Sequence, residues 1–364
     1  MKSSMKLYKI TFLLLLLPII GFANKPKDKH EKTKNISKRF EVKNNATLYV
    51  NNKYGNVTVT TWEENTIQID VKILVKGSNI EKVNDKLDGI NVVFESSESL
   101  VEARTRIEDT KSSWSWWGNS YKNISYKINY YIKMPKTNNA DLHNKYGGIE
   151  LDVLEGRANI DCDYGSIQIE KLLNDGNSIN LGYCGNSTIN YMKSGNIRSD
   201  YSKLSVNESN DLKVNADYSG IKIGTTKEIN FNCDYGSIAI KNADFITGNS
   251  DYAGMQIGTV TKDLNINTDY GGLKIKNLAK GFQKVYIDGS YAGIKIGTPS
   301  NNNFDFILNL SYAGFSYPDE SVNMKKSIKK ISKKYYEGSY GNSETGSKIE
   351  IKSNYGGVSL KVND

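Results

Sequence analysis

The triplet Asp-Tyr-Gly and its variants return through most of this chain, with tyrosine at positions 54, 146, 164, 183, 201, 218, 235, 252, 270, 291, 312 and 355, and a weaker copy at 340. From Tyr146 to Tyr312 the steps are 17 to 21 residues. A unit of that length cannot bury an apolar face alone, so neighbouring units must stack. Each unit has apolar residues six and four before its tyrosine, as in Leu212 and Val214 or Ile229 and Phe231, and three and five after it, as in Ile221 and Ile223 or Ile238 and Ile240. Spacing by two marks strands. The tyrosine keeps the parity of the first pair and the second pair is out of phase by one, so the chain must kink where a small residue follows the tyrosine. The expected fold is all-β, a parallel β-solenoid of about 18-residue units. Parity puts the tyrosines within or beside the core as stacked corners. The number of units per coil stays open, although GIKIGT at Gly220 and Gly293 and GMQIGT at Gly254 hint at two.

Residues 1–23 have Lys2, Lys6 and Lys9 before the short apolar run Phe12 to Ile20 and then Gly21-Phe22-Ala23, the pattern of a secretory signal peptide. The formal charge of +8 falls to +5 without those lysines, and residues 24–40, with seven basic and two acidic side chains, carry all of that excess. This segment reads as a basic, disordered tether. With no basic face left on the fold, nucleic acid is not an expected partner. Residues 41–138 read as a first repeat unit plus an inserted, mainly antiparallel sheet, because Ile67 to Val75, Val101 to Ile107 and Ile124 to Ile132 alternate with polar residues. Residues 139–317 carry the repeats. In the lysine-rich insertion 318–338, Met324, Ile328, Ile331 and Tyr335 fall at helical spacing, which predicts a short amphipathic helix. Residues 339–364 complete a terminal unit.

The stretch FEVKNNATLYVNNKYGNVTVTTWEENTIQIDVKI from Phe40, the strands ending IKMPK, and the long run of YGxIxI units resemble the "putative adhesin" β-solenoid family of bacterial envelope proteins. The resemblance covers residues 36–364 and implies the fold and an envelope location, in the periplasm or on the cell surface; it brings no catalytic motif.

Cys162 and Cys233 lie four units apart, ~19 Å at strand spacing, too far for a disulfide. They read as small buried side chains in a column with Ser199, Ala216, Ser250 and Thr268. An aspartate column (Asp163, Asp200, Asp217, Asp234, Asp251, Asp269) could ligate calcium, but its first reading is turn-forming. Only His30 and His143 are present, so a Ser-His-Asp site has no support. Trp114, Trp116 and Trp117 must either cap an open solenoid end or meet a partner. With Lys325, Lys326, Lys329 and Lys330 they are the candidate contact residues, for an envelope protein or glycan, or for a membrane surface. The expectation is a monomeric, exported, non-enzymatic structural or binding module without cofactors. A carbohydrate-active enzyme using the aspartates and a calcium-stabilised scaffold are the alternatives.

Overall fold

The computed structural model describes residues 29–108, 124–342 and 346–363. It is 73% strand and 4% helix, arranged as the expected solenoid. Each unit makes one full coil: Lys203 pairs in parallel register with Gly220, which continues through Ser237, Gly254 and Gly272 to Gly293. The hint of two units per coil does not hold. In the coil of Tyr218 the inward residues are Ser202, Leu204, Val206, Ser209, Leu212, Val214, Ala216 and Ser219, all at most 4% exposed. Their spacing is two except for steps of three at 206 to 209, 209 to 212 and 216 to 219. At each step of three, two consecutive side chains face out, so the coil turns three corners around a dry interior.

The N-terminal cap is built from β1 (His30–Glu41), β2 (Thr47–Lys53), β3 (Val57–Trp62), β4 (Thr66–Gly77), α1 (Ile80–Asp88), β5 (Ile90–Ser97), β6 (Leu100–Ile107) and β7 (Ile124–Pro135). β2 and β3 form the first coil. β6 and β7 lie parallel on them as a surrogate coil, and β5 and β4 then pair antiparallel with β6 and β7. The tether expectation fails over residues 30–40. All twelve residues of β1 pair antiparallel with β4, and Phe40 packs its ring 6.0 Å from Phe94. Lysines that look like tether in sequence line an outer edge strand, where charge discourages pairing with other chains.

At the other end the order of coils in space departs from the order in the chain. Lys348–Asn354 inserts between Lys284–Ser290 and Phe304–Ser311, parallel to both, and Val358–Asn363 pairs with Gly293–Pro299. The Tyr355 unit thus sits between those of Tyr291 and Tyr312. The lysine-rich segment is a β-hairpin, Val322–Lys329 with Lys333–Tyr340, whose second strand pairs antiparallel with Phe304–Ser311. The predicted helix does not form, because pairing with the open edge of the last coil outweighs a local apolar spacing. The signal-peptide segment 1–23 and the tryptophan loop lie outside the described residues. Among the described residues no helix is long and apolar enough to cross a membrane.

Candidate functional site

All twelve repeat tyrosines occupy the left-handed region, with φ between 50° and 63°. A strand residue that switches to positive φ no longer obeys the in-out alternation, so each ring is thrown outward. The rings are 39% to 62% exposed, which corrects the expectation of tyrosines within or beside the core. For a residue with a Cβ this conformation costs roughly 1–2 kcal/mol, and glycine would take it freely. Tyrosine at every corner therefore means that the ring is what the corner retains.

The rings form one ladder along the solenoid. Successive centroids are 4.8 to 5.2 Å apart from Tyr54 through Tyr146 and Tyr164 to Tyr291, then Tyr355 and Tyr312. From Tyr201 to Tyr291 the ring planes lie within 6° of parallel. The Tyr252 phenol is held above its ordinary pKa by desolvation, with Tyr270 and Tyr235 adding to the shift. Ring faces are covered by one another, so a ligand would meet ring edges and hydroxyls.

Beside the ladder runs a groove of about 910 Å³ that spans seven coils, from Asn186 to Lys295. Its floor nearest the rings is the column two residues after each tyrosine. A Cβ built on Gly254, Gly272 or Gly293 would meet no atom within 4 Å. Each is the first residue of its strand, a place that Lys203 and Ser237 fill on other coils of the groove. Nothing approaches the three glycines, so the floor is open at their coils. Lys222, Gln256, Lys274 and Lys295 line it two residues further along each coil.

On the opposite side of the ladder lie the aspartates and an asparagine ladder. The carbonyls of Asp234 and Asp251 accept the amides of Tyr218 and Tyr235 at 3.0 Å, which ties each corner to the next coil. Asp234 also accepts the Asp251 amide at 3.1 Å through its carboxylate. Desolvation raises the Asp251 pKa, and Asp234 and Asp269 push it the same way. Asn215, Asn232, Asn249 and Asn267 bond side chain to side chain at 3.0 to 3.1 Å. Among the described residues no group of three His, Cys, Asp or Glu side chains could hold a metal ion. His143 lies 2.9 Å from Asp141 and 3.7 Å from Asp161, and these carboxylates, Asp161 first, hold its imidazole above the ordinary pKa.

No family model matches the sequence, and no curated protein matches it. Solved structures do. A "putative adhesin" from Parabacteroides distasonis is 10% identical over 90% of this chain and 97% of its own, with a TM-score of 0.34. A "putative adhesin" from Parabacteroides merdae is 11% identical over 90% and 96%, with a TM-score of 0.32. A "putative cell adhesion protein" from Clostridium sporogenes is 13% identical over 91% and 100%, with a TM-score of 0.18. These names are those of the class that the sequence resembles.

Of the sequence-derived contact residues, Trp114, Trp116 and Trp117 lie outside the described residues. The lysines are on the C-terminal hairpin. Lys325 is 3.3 Å from Asp305, Lys326 stands 5.5 Å over the Tyr335 ring, Lys329 stands 6.0 Å over Tyr336, and Lys330 opens the hairpin turn. The three cysteines are free and buried. Cys162 and Cys233 occupy the small-residue column with Ser199, Ala216, Ser250 and Thr268, as read from sequence. The Cys184 thiol donates to the Cys162 carbonyl at 3.0 Å.

The balance of strain and stacking at the corner is testable. Tyr235→Ala keeps the left-handed strain and removes two ring contacts, so it is expected to destabilise by about 1–3 kcal/mol. Tyr235→Gly relieves the strain and should cost less. Equilibrium urea unfolding of both variants checks the order, and alanine being the milder change would refute the corner account.

Proposed function

We propose that the protein is an exported, non-enzymatic binding module of the cell envelope, and that its ligand is a linear, hydroxyl-rich polymer, a glycan strand, lying along the groove beside the tyrosine ladder. The observation that carries this reading is the run of glycines on three consecutive coils at Gly254, Gly272 and Gly293, each the first residue of its strand, where an added Cβ would meet no atom within 4 Å. A site that repeats at each coil, about every 4.8 Å, suits a polymer better than a compact molecule. A peptide strand would seek an open sheet edge, and the flank of a coil offers none because its backbone groups pair with the next coil. In the groove Lys222, Gln256 and Lys274 supply hydrogen-bond groups of the kind that sugars use.

Binding to a glycan array followed by calorimetry on the best polysaccharide tests the proposal. Gly254→Gln with Gly272→Gln puts side chains into the channel at positions where a Cβ meets no neighbour, and is expected to weaken binding at least about tenfold, the effect of ~1.4 kcal/mol, with the melting temperature unchanged. Undiminished binding by this variant would remove the groove from the account. Release of reducing ends would show an enzyme instead.

A further inference from the structure

The C-terminal hairpin has a feature that capping the solenoid does not require. Its turn is closed by the Lys330 amide donating to the Lys333 carbonyl at 2.9 Å, and Ile331 in that turn is fully exposed, at 104%. Ile328, three residues back, is 42% exposed. Lysines surround them. Lys329 faces Lys334 directly across the two strands, a like-charge pair that opposes hairpin formation. Lys325 has a carboxylate at Asp305, whereas Lys330, Lys333 and Lys334 make no ion pair among the described residues. Lysines on the outer strand protect a sheet edge from aggregation. That role explains Lys325, Lys326 and Lys329. It explains neither an aliphatic side chain presented at the tip nor the charges that flank it in the turn.

We propose that this tip docks on an anionic lipid surface, with Ile331 entering the interface and Lys330, Lys333 and Lys334 meeting lipid phosphates. Charge complementarity selects an anionic partner, and the exposed isoleucine selects a bilayer over a soluble polyanion, which would gain nothing from it. The Ser332 carbonyl accepts the Tyr312 amide at 2.8 Å, so the tip is fixed at the last ring of the ladder. In a docked molecule the Tyr312 and Tyr355 coils would lie between the membrane and the near end of the groove. This inference is independent of the glycan reading, because groove residues and tip residues do not overlap.

Co-sedimentation of the full exported chain with two vesicle types tests it: phosphatidylcholine alone, and phosphatidylcholine mixed with phosphatidylglycerol in equal parts. Binding is expected only to the mixed vesicles. Each lysine near such a surface is worth roughly fivefold, so the triple Lys330→Gln, Lys333→Gln, Lys334→Gln variant should bind on the order of a hundredfold more weakly. Ile331→Ser should bind about tenfold more weakly. All four side chains lie at the tip, and unchanged melting temperatures confirm that each variant keeps the fold. Failure of the wild-type chain to bind the mixed vesicles overturns the proposal. So does an Ile331→Ser variant that binds as the wild type does, since the patch would then be a plain polyanion site, as equal binding to heparin would show. Vesicle binding retained by the groove-filled Gly254→Gln, Gly272→Gln variant keeps this outcome separate from that of the glycan test.

Discussion

A chain ended after Asn342 is expected to lose its cooperative fold at the C-terminal end and to aggregate. The missing segment is not an appendage on the last coil but the layer between two coils, since Lys348–Asn354 pairs with Lys284–Ser290 on one side and Phe304–Ser311 on the other. It brings in Ile349, Ile351, Val358 and Leu360, each no more than 6% exposed. At about 1.5–3 kcal/mol for each buried aliphatic side chain, the loss is roughly 6–12 kcal/mol before the faces they cover are counted. That is comparable with the whole stability of a typical domain, about 5–15 kcal/mol. Two parallel strand edges would also be left facing each other without a partner. Because a solenoid is held by nearest-neighbour interfaces, the damage should be local: coils up to Tyr270 keep their structure while the hairpin and the Tyr312 coil come loose. Proteolysis followed by mass spectrometry would find cuts beyond residue 300, and thermal melting would become two-stepped. A single transition at the wild-type temperature would mean that the insertion is not structural.

Phe231→Ala is expected to cost about 3–5 kcal/mol, the largest effect of any single large-to-small change in the middle of the solenoid. Phe231 points into the coil at 1% exposure, and its register partner on the next coil is Gly248. A Cβ at Gly248 would come within 2.2 Å of the Phe231 ring, so one large side chain fills the space of two positions. Gly248→Val should therefore destabilise as well, by about 1–3 kcal/mol or more, through overpacking. Combined, the two changes restore volume, and the double variant is expected to be less unstable than the separate costs predict, with coupling of about 1–3 kcal/mol. Chemical denaturation of the four proteins measures this. Strict additivity would show that the two sites do not share a space.

The core columns were legible because period-two spacing on either side of each tyrosine is a direct record of which residues face inward, and Leu212, Val214, Ile221 and Ile223 are all buried. One coil per unit was within reach too: 17 residues at ~3.3 Å give a perimeter of roughly 56 Å, enough to enclose a core. The direction of the tyrosines was not legible by parity, since that count assumes extended backbone at every residue and Tyr218, at φ 52°, breaks it. A signal was present two residues on, where glycine stands at 220, 254, 272 and 293 although Lys203 and Ser237 take the same place on other coils: a run of glycines beside a bulky column leaves room for a groove. Lys325 to Lys334 misled because Met324, Ile328 and Ile331 have helical spacing by coincidence, while the strand pairing with Phe304–Ser311 comes from the last coil's exposed edge. Where Tyr355 stacks could not be seen either, because spatial order among equivalent units leaves no trace in any one of them.

The most direct test of the central claim, that an extended polymer lies along the ladder, is how affinity depends on ligand length. The groove spans seven coils, roughly 30 Å at strand spacing. Calorimetry with a size series of oligosaccharides cut from the best-binding polysaccharide should show affinity rising with each added sugar until that span is filled and then levelling off, with the whole dependence flattened in the Gly254→Gln, Gly272→Gln variant. Affinity that is already complete at a disaccharide, or that grows without regard to the filled channel, would contradict it.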